Sequence, residues 1–140
     1  MSNLVLELSD DEVSKFLEDV DYSLFYHTPE YLRMISVLLR ATFFYIGIKY
    51  NDRINSLMPI MKKKSKLGIV YNSLAYYGSN GSVLQRVRSI DEKKILIAEF
   101  YKIAQNDDAL SATIISNPFD DDKSIWDGLK IVSSDYRIGQ

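Results

Sequence analysis

Cysteine is absent from this 140-residue chain, and histidine occurs once, at His27. The first absence excludes disulfide staples, thiolate metal sites and cysteine nucleophiles, and is compatible with a reducing compartment. The second leaves no means of building a multi-histidine zinc centre. Charge of one sign is lacking too: 17 Lys and Arg stand against 19 Asp and Glu, a formal net charge of −2. No global field therefore gathers double-stranded nucleic acid or an acidic membrane. No apolar run approaches the roughly 18 residues a membrane span needs. The opening Met-Ser-Asn-Leu-Val-Leu-Glu-Leu lacks the basic and then apolar pattern of a signal peptide. The expectation is a cytoplasmic, bacterial-style protein, or one peripheral to the inner face of the membrane, with no transmembrane segment.

What is present is the composition of a folding chain, 46% hydrophobic and 26% charged, of a length suited to one domain over residues 1–140. Residues 4–8 read as a short strand. Ser9 with Glu12 has capping-box spacing and starts a helix bearing Val13, Phe16, Leu17 and Val20 on one face. Thr28-Pro29 is an N-cap followed by proline at the first helical position, after which Leu32, Ile35, Leu38 and Leu39 recur at helical spacing to about Arg40. Residues 42–48 are aromatic and β-branched, and a tight turn at 50–53 leads into a second strand over 54–61. Pro59 cannot donate a ladder hydrogen bond and argues for a strand end, an edge or a bulge. Residues 62–68 read as a polar connection, and 69–74 as the third strand of an antiparallel meander.

A glycine-punctuated loop follows at 76–82. Ser89 and Glu92 then repeat the capping-box spacing ahead of a helix marked by Ile95, Leu96, Phe100 and Ile103. The remainder reads as a buried strand at 112–116, a turn at 117–122, a short helix at 123–128 and a final apolar strand segment at 129–133. The fold class expected from this order is α/β (α+β), a mixed but mostly antiparallel sheet with a three-strand meander flanked by helices.

Few residues are candidates for chemistry. Tyr76, Tyr77, Gly78, Ser79, Asn80 and Gly81 form a loop running from a strand towards a helix, where backbone N–H groups can approach an anion and aromatic rings can line a cleft. The same glycines also suit a plain turn. His27, just before a helix cap, is a candidate substrate contact because imidazole exchanges protons near neutrality, although a lone histidine at such a place is more often a local packing or hydrogen-bonding residue. Arg137, near the C-terminal Gln140, can clasp a carboxylate or phosphate. Lys62, Lys63, Lys64 and Lys66 make a basic cluster that suits anionic lipid or a solvated hairpin. The Asp120-Asp121-Asp122 run lacks the alternate spacing of a calcium loop, so no metal site is expected. No residue is singled out as catalytic.

Four segments carry a family likeness: Phe25-Tyr26-His27-Thr28-Pro29-Glu30-Tyr31-Leu32, Leu57-Met58-Pro59-Ile60-Met61-Lys62, residues 72–82, and Tyr136-Arg137-Ile138-Gly139-Gln140. In this order they resemble the N-terminal half of Fem-type (FemAB-like), peptidoglycan-bridge-forming acyltransferases, which fuse two GNAT-like units. The resemblance implies a single GNAT-like domain, the first of two units, that supplies scaffold and acceptor cleft. The complete enzyme would move an acetyl or aminoacyl group from acetyl-CoA or aminoacyl-tRNA to an amine of an anionic cell-envelope precursor or sugar nucleotide, in cell-wall or polysaccharide biosynthesis. This chain alone is expected to hold no donor and to be inactive in isolation. Its loop departs from the Gln/Arg-x-x-Gly-x-Gly/Ala pattern by which GNAT domains hold the CoA diphosphate. The implied partner is a second GNAT-like unit, in the same or another chain, or a second copy. The alternatives are a non-catalytic module that dimerises or pairs with another chain, and a stand-alone acetyltransferase that binds CoA through Gly78 to Ser82.

Overall fold

A computed structural model describes residues 4–73, 81–116 and 123–135. The order of elements is β1 (Val5–Leu8), α1 (Asp10–Glu18), a 3-10 turn (Phe25–His27), α2 (Pro29–Leu39), β2 (Thr42–Tyr50), β3 (Arg53–Ser65), β4 (Gly68–Asn72), β5 (Leu84–Gln85), α3 (Ile90–Asn106), β6 (Ser111–Thr113) and a second 3-10 turn (Lys123–Trp126). The strands form a six-stranded sheet ordered β1-β2-β3-β4-β6, with β5 also paired to β3. All pairings are antiparallel except β4 with β6. The expected fold class is therefore the observed one.

The helix starts follow local chemistry. At α1, Ser9 Oγ accepts from the Glu12 N–H and Glu12 accepts in return from the Ser9 N–H, a complete capping box. At α2, Thr28 caps Tyr31 N with Pro29 in the first turn, and Arg40 closes the helix in the left-handed region. The β2–β3 hairpin turns on Asn51 and Asp52, both at positive φ (48° and 61°), the geometry whose twist matches paired strands.

Alternation along the strands divides the core in two. On one face, Val13, Phe16 and Leu17 of α1 and Tyr31, Leu32 and Ile35 of α2 pack on Leu8, Tyr45, Leu57 and Met61. On the other, Leu96, Ile97 and Phe100 of α3 pack on Ile46, Ile48, Met58, Ile60 and Tyr71, with Ile125 of the second 3-10 turn. Gly47 is required where β1 pairs with β2: a Cβ there would stand 2.6 Å from Leu8 Cδ1 and 2.7 Å from the Ser56 carbonyl oxygen.

Several boundaries differ from expectation. β3 runs on to Ser65, so Lys62, Lys63 and Lys64 are ladder residues opposite Tyr71, Val70 and Ile69 rather than a connection. Their aliphatic stems allow this at the exposed end of the strand. Pro59 lies mid-strand, opposite Tyr45. It is tolerated because the far edge of β3 changes partner around it, from β5 at Ser56 and Leu57 to β4 from Met61 onward. Leu38 is 70% exposed, since α2 makes its core contacts through Tyr31, Leu32 and Ile35 and its last turn leaves only Leu39 partly covered. β6 is shorter than expected and exposed along its length because it is an edge strand. Residues 129–133 form no strand, and Val132 is 93% exposed. The expected turn at 117–122 lies outside the described residues.

Candidate functional site

Parallel strands bring their carboxyl ends to one side, and the crevice beyond those ends is where such sheets receive ligands. β4 and β6 are the parallel pair here, so the candidate site lies beyond Asn72 and Thr113. Ser73 sits at that point, 1% exposed. Its N–H donates to the Thr113 carbonyl at 2.9 Å, while its hydroxyl, not a main-chain carbonyl, accepts the Ile115 N–H at 3.0 Å. The regular ladder thus gives way to a side-chain bridge where the two strands part. The chain returns at Gly81 and Ser82, both buried. Among the described residues the Ser82 hydroxyl has no hydrogen-bond partner although it is buried, and neither has the Tyr31 hydroxyl in the first turn of α2. Such orphaned groups are rare in native interiors and mark places where a further polar group belongs. Burial pushes the Tyr31 phenol up from its ordinary range, which keeps it a neutral donor.

Of the residues singled out from sequence, Tyr76, Tyr77, Gly78, Ser79, Asn80 and Arg137 lie outside the described residues, as does the Asp120-Asp121-Asp122 run. Gly81 is the first described residue after the 74–80 stretch and is buried. His27 is 1% exposed and belongs to the turn that leads into α2. Its Nδ1 accepts the Leu24 N–H at 3.0 Å, its carbonyl accepts the Tyr45 hydroxyl at 2.6 Å, and its N–H donates to the Leu24 carbonyl. These bonds fix the ring orientation and leave Nε2 as the nitrogen able to carry the proton. Nothing described unites the lysines in one anion site. Lys62 pairs with Asp107, and Lys63 Nζ donates to the Leu39 carbonyl at the end of α2.

Sequence reading missed the polar cluster at the start of α3. Only half of the expected capping box forms there: Ser89 Oγ accepts the Glu92 N–H at 3.3 Å, but the Glu92 side chain turns into the sheet instead of back to Ser89. Glu92 is 4% exposed and accepts from Tyr50 OH at 2.9 Å, Asn55 Nδ2 at 2.8 Å and the Ser56 hydroxyl. A β-bulge makes this possible. Ile48 pairs with Ser56 and Lys49 with Ile54, so Asn55 is the extra residue of β3, and two consecutive side chains reach one carboxylate. At the other end of α3, Asp107 accepts from Lys62 Nζ and Tyr71 OH. The Lys62 ammonium, helped by the Tyr71 hydroxyl, holds the Asp107 carboxyl below its usual range. Among the described residues, no group of acidic or histidine side chains is arranged to hold a metal ion. No described helix is long and apolar enough to cross a membrane.

No protein-family model matches the chain, and no curated protein matches its sequence. Solved structures do match. An acetyltransferase from Trypanosoma brucei aligns with a TM-score of 0.61 at 14% identity, over 98% of this chain and 99% of that one. A glucosamine-6-phosphate N-acetyltransferase from Arabidopsis thaliana gives 0.60 at 12% identity, over 100% and 98%. A GNAT family acetyltransferase from Staphylococcus aureus gives 0.57 at 13% identity, over 100% of both chains. The fold is that of GNAT acetyltransferases, across essentially the whole chain.

Proposed function

We propose that this chain is a GNAT-fold unit of an N-acyltransferase and forms its scaffold and acceptor side. The observation that carries the reading is the full-length likeness to acetyltransferase structures, one of them a glucosamine-6-phosphate N-acetyltransferase. It is joined by a sheet whose parallel pair parts at Ser73. In such a transfer an amine attacks the acyl carbonyl of a thioester or ester, and the thiol or hydroxyl leaves. The protein's tasks are to orient the amine, remove its proton and stabilise the oxyanion, none of which needs a cysteine. The acceptor is an amino sugar phosphate, sugar nucleotide or anionic cell-envelope precursor. The donor, acetyl-CoA or aminoacyl-tRNA, is held by a second GNAT-like unit. The finer assignment, the first unit of a Fem-type enzyme acting at the inner face of the membrane, is supported by the four sequence segments. On this reading His27, Gly81 and the rest of the 76–81 loop with Arg137 contact the acceptor.

Titration of 15N-labelled protein with glucosamine 6-phosphate and with a uridine-diphosphate muramyl peptide tests this. Saturable shifts at Ser73, Gly81 and Ser82 are expected with at least one of them. Absence of shifts at all three residues with both ligands, at millimolar concentration, would overturn the reading.

A non-catalytic module that pairs with a second copy is favoured by a different feature, the outer face of α2. There Met34, Val37 and Leu38 are exposed, the last two at 73% and 70%. Light scattering distinguishes the two: a dimer dispersed by Val37→Glu supports the module, and a monomer at all concentrations removes it.

A further inference from the structure

In a strand–loop–helix unit the natural seat for a phosphate is the N-terminus of the helix, where free N–H groups converge and the dipole favours negative charge. A GNAT fold implies a donor, acetyl-CoA, whose diphosphate calls for such a seat, and the turn from β5 into α3 is where this chain places one. The residues there do not fit it. The Arg86 N–H donates to the Asn55 carbonyl at 2.7 Å, the Val87 N–H to Asn55 Oδ1 at 3.1 Å and the Ser89 N–H to Gln85 Oε1 at 3.3 Å. The Glu92 N–H goes to Ser89 Oγ at 3.3 Å. Four amides of the turn, those of Arg86, Val87, Ser89 and Glu92, are thus already held by protein acceptors.

The side chains deepen the mismatch. Asn55 also donates to the Val87 carbonyl at 3.2 Å, so its amide group clasps one residue of the turn from both sides. Gln85 Nε2 donates to the Ser89 carbonyl and to Ser56 Oγ, tying the turn to β3. Asp91 and Glu92 occupy the first turn of α3 and already supply the negative charge that the helix dipole favours. Two neighbouring cations are engaged. Arg86 bonds Asp19 and the Ile54 carbonyl and lies on the Phe16 ring, and the Arg88 guanidinium stands 5.9 Å from the centroid of the Tyr22 ring. No glycine lies between Gln85 and Glu92 to let a phosphate approach the backbone.

We infer that the turn into α3 is a closed junction, sealed by Asn55 and Glu92 through the bulge of β3, and that it receives no donor diphosphate. The unit then acts on the acceptor, and a donor is held elsewhere. The inference rests on the acyltransferase reading only for the choice of acetyl-CoA as probe; the closure itself is a property of these bonds.

Two measurements on the wild-type protein test it. The first is amide hydrogen exchange. Val87 is 65% exposed, so only its bond to Asn55 should slow exchange. Protection of about 100-fold or more is expected at Val87, falling by at least about tenfold in Asn55→Ala and retained in part by Asn55→Asp, which keeps the acceptor oxygen. Open-chain exchange at Val87 in the wild type overturns the inference. The second is titration of 15N-labelled protein with acetyl-CoA and with inorganic pyrophosphate. Unmoved amides at Arg86, Val87, Ser89 and Glu92 support closure, including the case in which residues between 76 and 82 shift. Saturable shifts at those four amides overturn it, and would leave the acceptor titration at Ser73, Gly81 and Ser82 standing as the separate test of function.

Discussion

The two faces of the sheet are held by different means. On the α1 and α2 face the contacts are apolar apart from the buried bond of the Tyr45 hydroxyl to the His27 carbonyl, and the ion pairs gather at the rim: Lys49 with Glu12, Arg33 with Asp10 and Arg86 with Asp19. On the α3 face an apolar stripe is joined by an acid at each end of the helix, Glu92 bound to β2 and β3 and Asp107 bound to Lys62 and Tyr71. Burial sets how firmly a helix sits, but it is non-directional. Hydrogen-bonded carboxylates at both ends fix rotation and translation as well. The helix pinned in this way is the one that flanks the candidate site, so its orientation matters more than that of α1.

The largest effects test the apolar part of this comparison. Phe16→Ala and Phe100→Ala each remove a ring buried on one face, and each should lose about 3–5 kcal/mol in urea unfolding. Values below 1 kcal/mol for either would mean that face is not a packed core. Glu92→Ala separates the two faces more sharply. It removes the shared acceptor of Tyr50, Asn55 and Ser56 and should lose roughly 3 kcal/mol, with Glu92→Gln recovering part. An effect no larger than that of an exposed residue would show that the acid does not pin α3.

Gly47→Ala places a methyl against Leu8 and the Ser56 carbonyl, and the expected loss is about 2 kcal/mol. Because Ser56 also bonds Glu92, this variant should loosen both faces, seen as faster exchange in α1 and α3 alike. Thr28→Ala removes the cap of α2 and should lose about 1 kcal/mol while leaving α3 exchange unchanged.

The smallest effect is at the rim. The Lys49 ammonium, then the Ser9 N–H and hydroxyl, hold the Glu12 carboxyl down from 4.5 to about 2. A carboxylate lowered on folding adds stability above pH 4.5 that is lost as the pH falls from there towards 2. Solvent screening keeps that contribution small at this exposed pair. Carbon-13 titration of Glu12 should show the low midpoint, and Lys49→Met should return it towards 4.5. An unchanged midpoint in the variant would remove Lys49 as the main cause.

Much of the fold was legible because its signals are local. Ser9 with Glu12, Thr28 with Pro29, and the aromatic and β-branched run from Thr42 act through neighbouring residues, and each element begins where those residues place it. Hairpin turn chemistry at Asn51 and Asp52 is equally local. The end of β3 was misplaced because a lysine run resembles a loop until β4 pairs with it. Pro59 stands mid-strand because the neighbours of β3 change there, which no local pattern encodes. At the candidate site, the segment from Tyr76 to Gly81 was singled out through its glycines, and all of it but Gly81 lies outside the described residues. Ser73, Ser82, Asn55 and Glu92 were not, since an orphaned hydroxyl or a diverted cap is defined by what lies across space.

By itself, then, the sequence determined the helix starts, the hairpin, the apolar stripes and the exclusion of cysteine and multi-histidine chemistry. These depend on backbone preference and periodicity within a few residues. Tertiary structure alone decided that β4 and β6 run parallel and part at Ser73, that a bulge turns Asn55 towards Glu92, and that Glu92 leaves its own helix cap for β3. Each of those outcomes is a competition for hydrogen bonds between residues some 30 to 40 positions apart, and only the assembled sheet brings the competitors together.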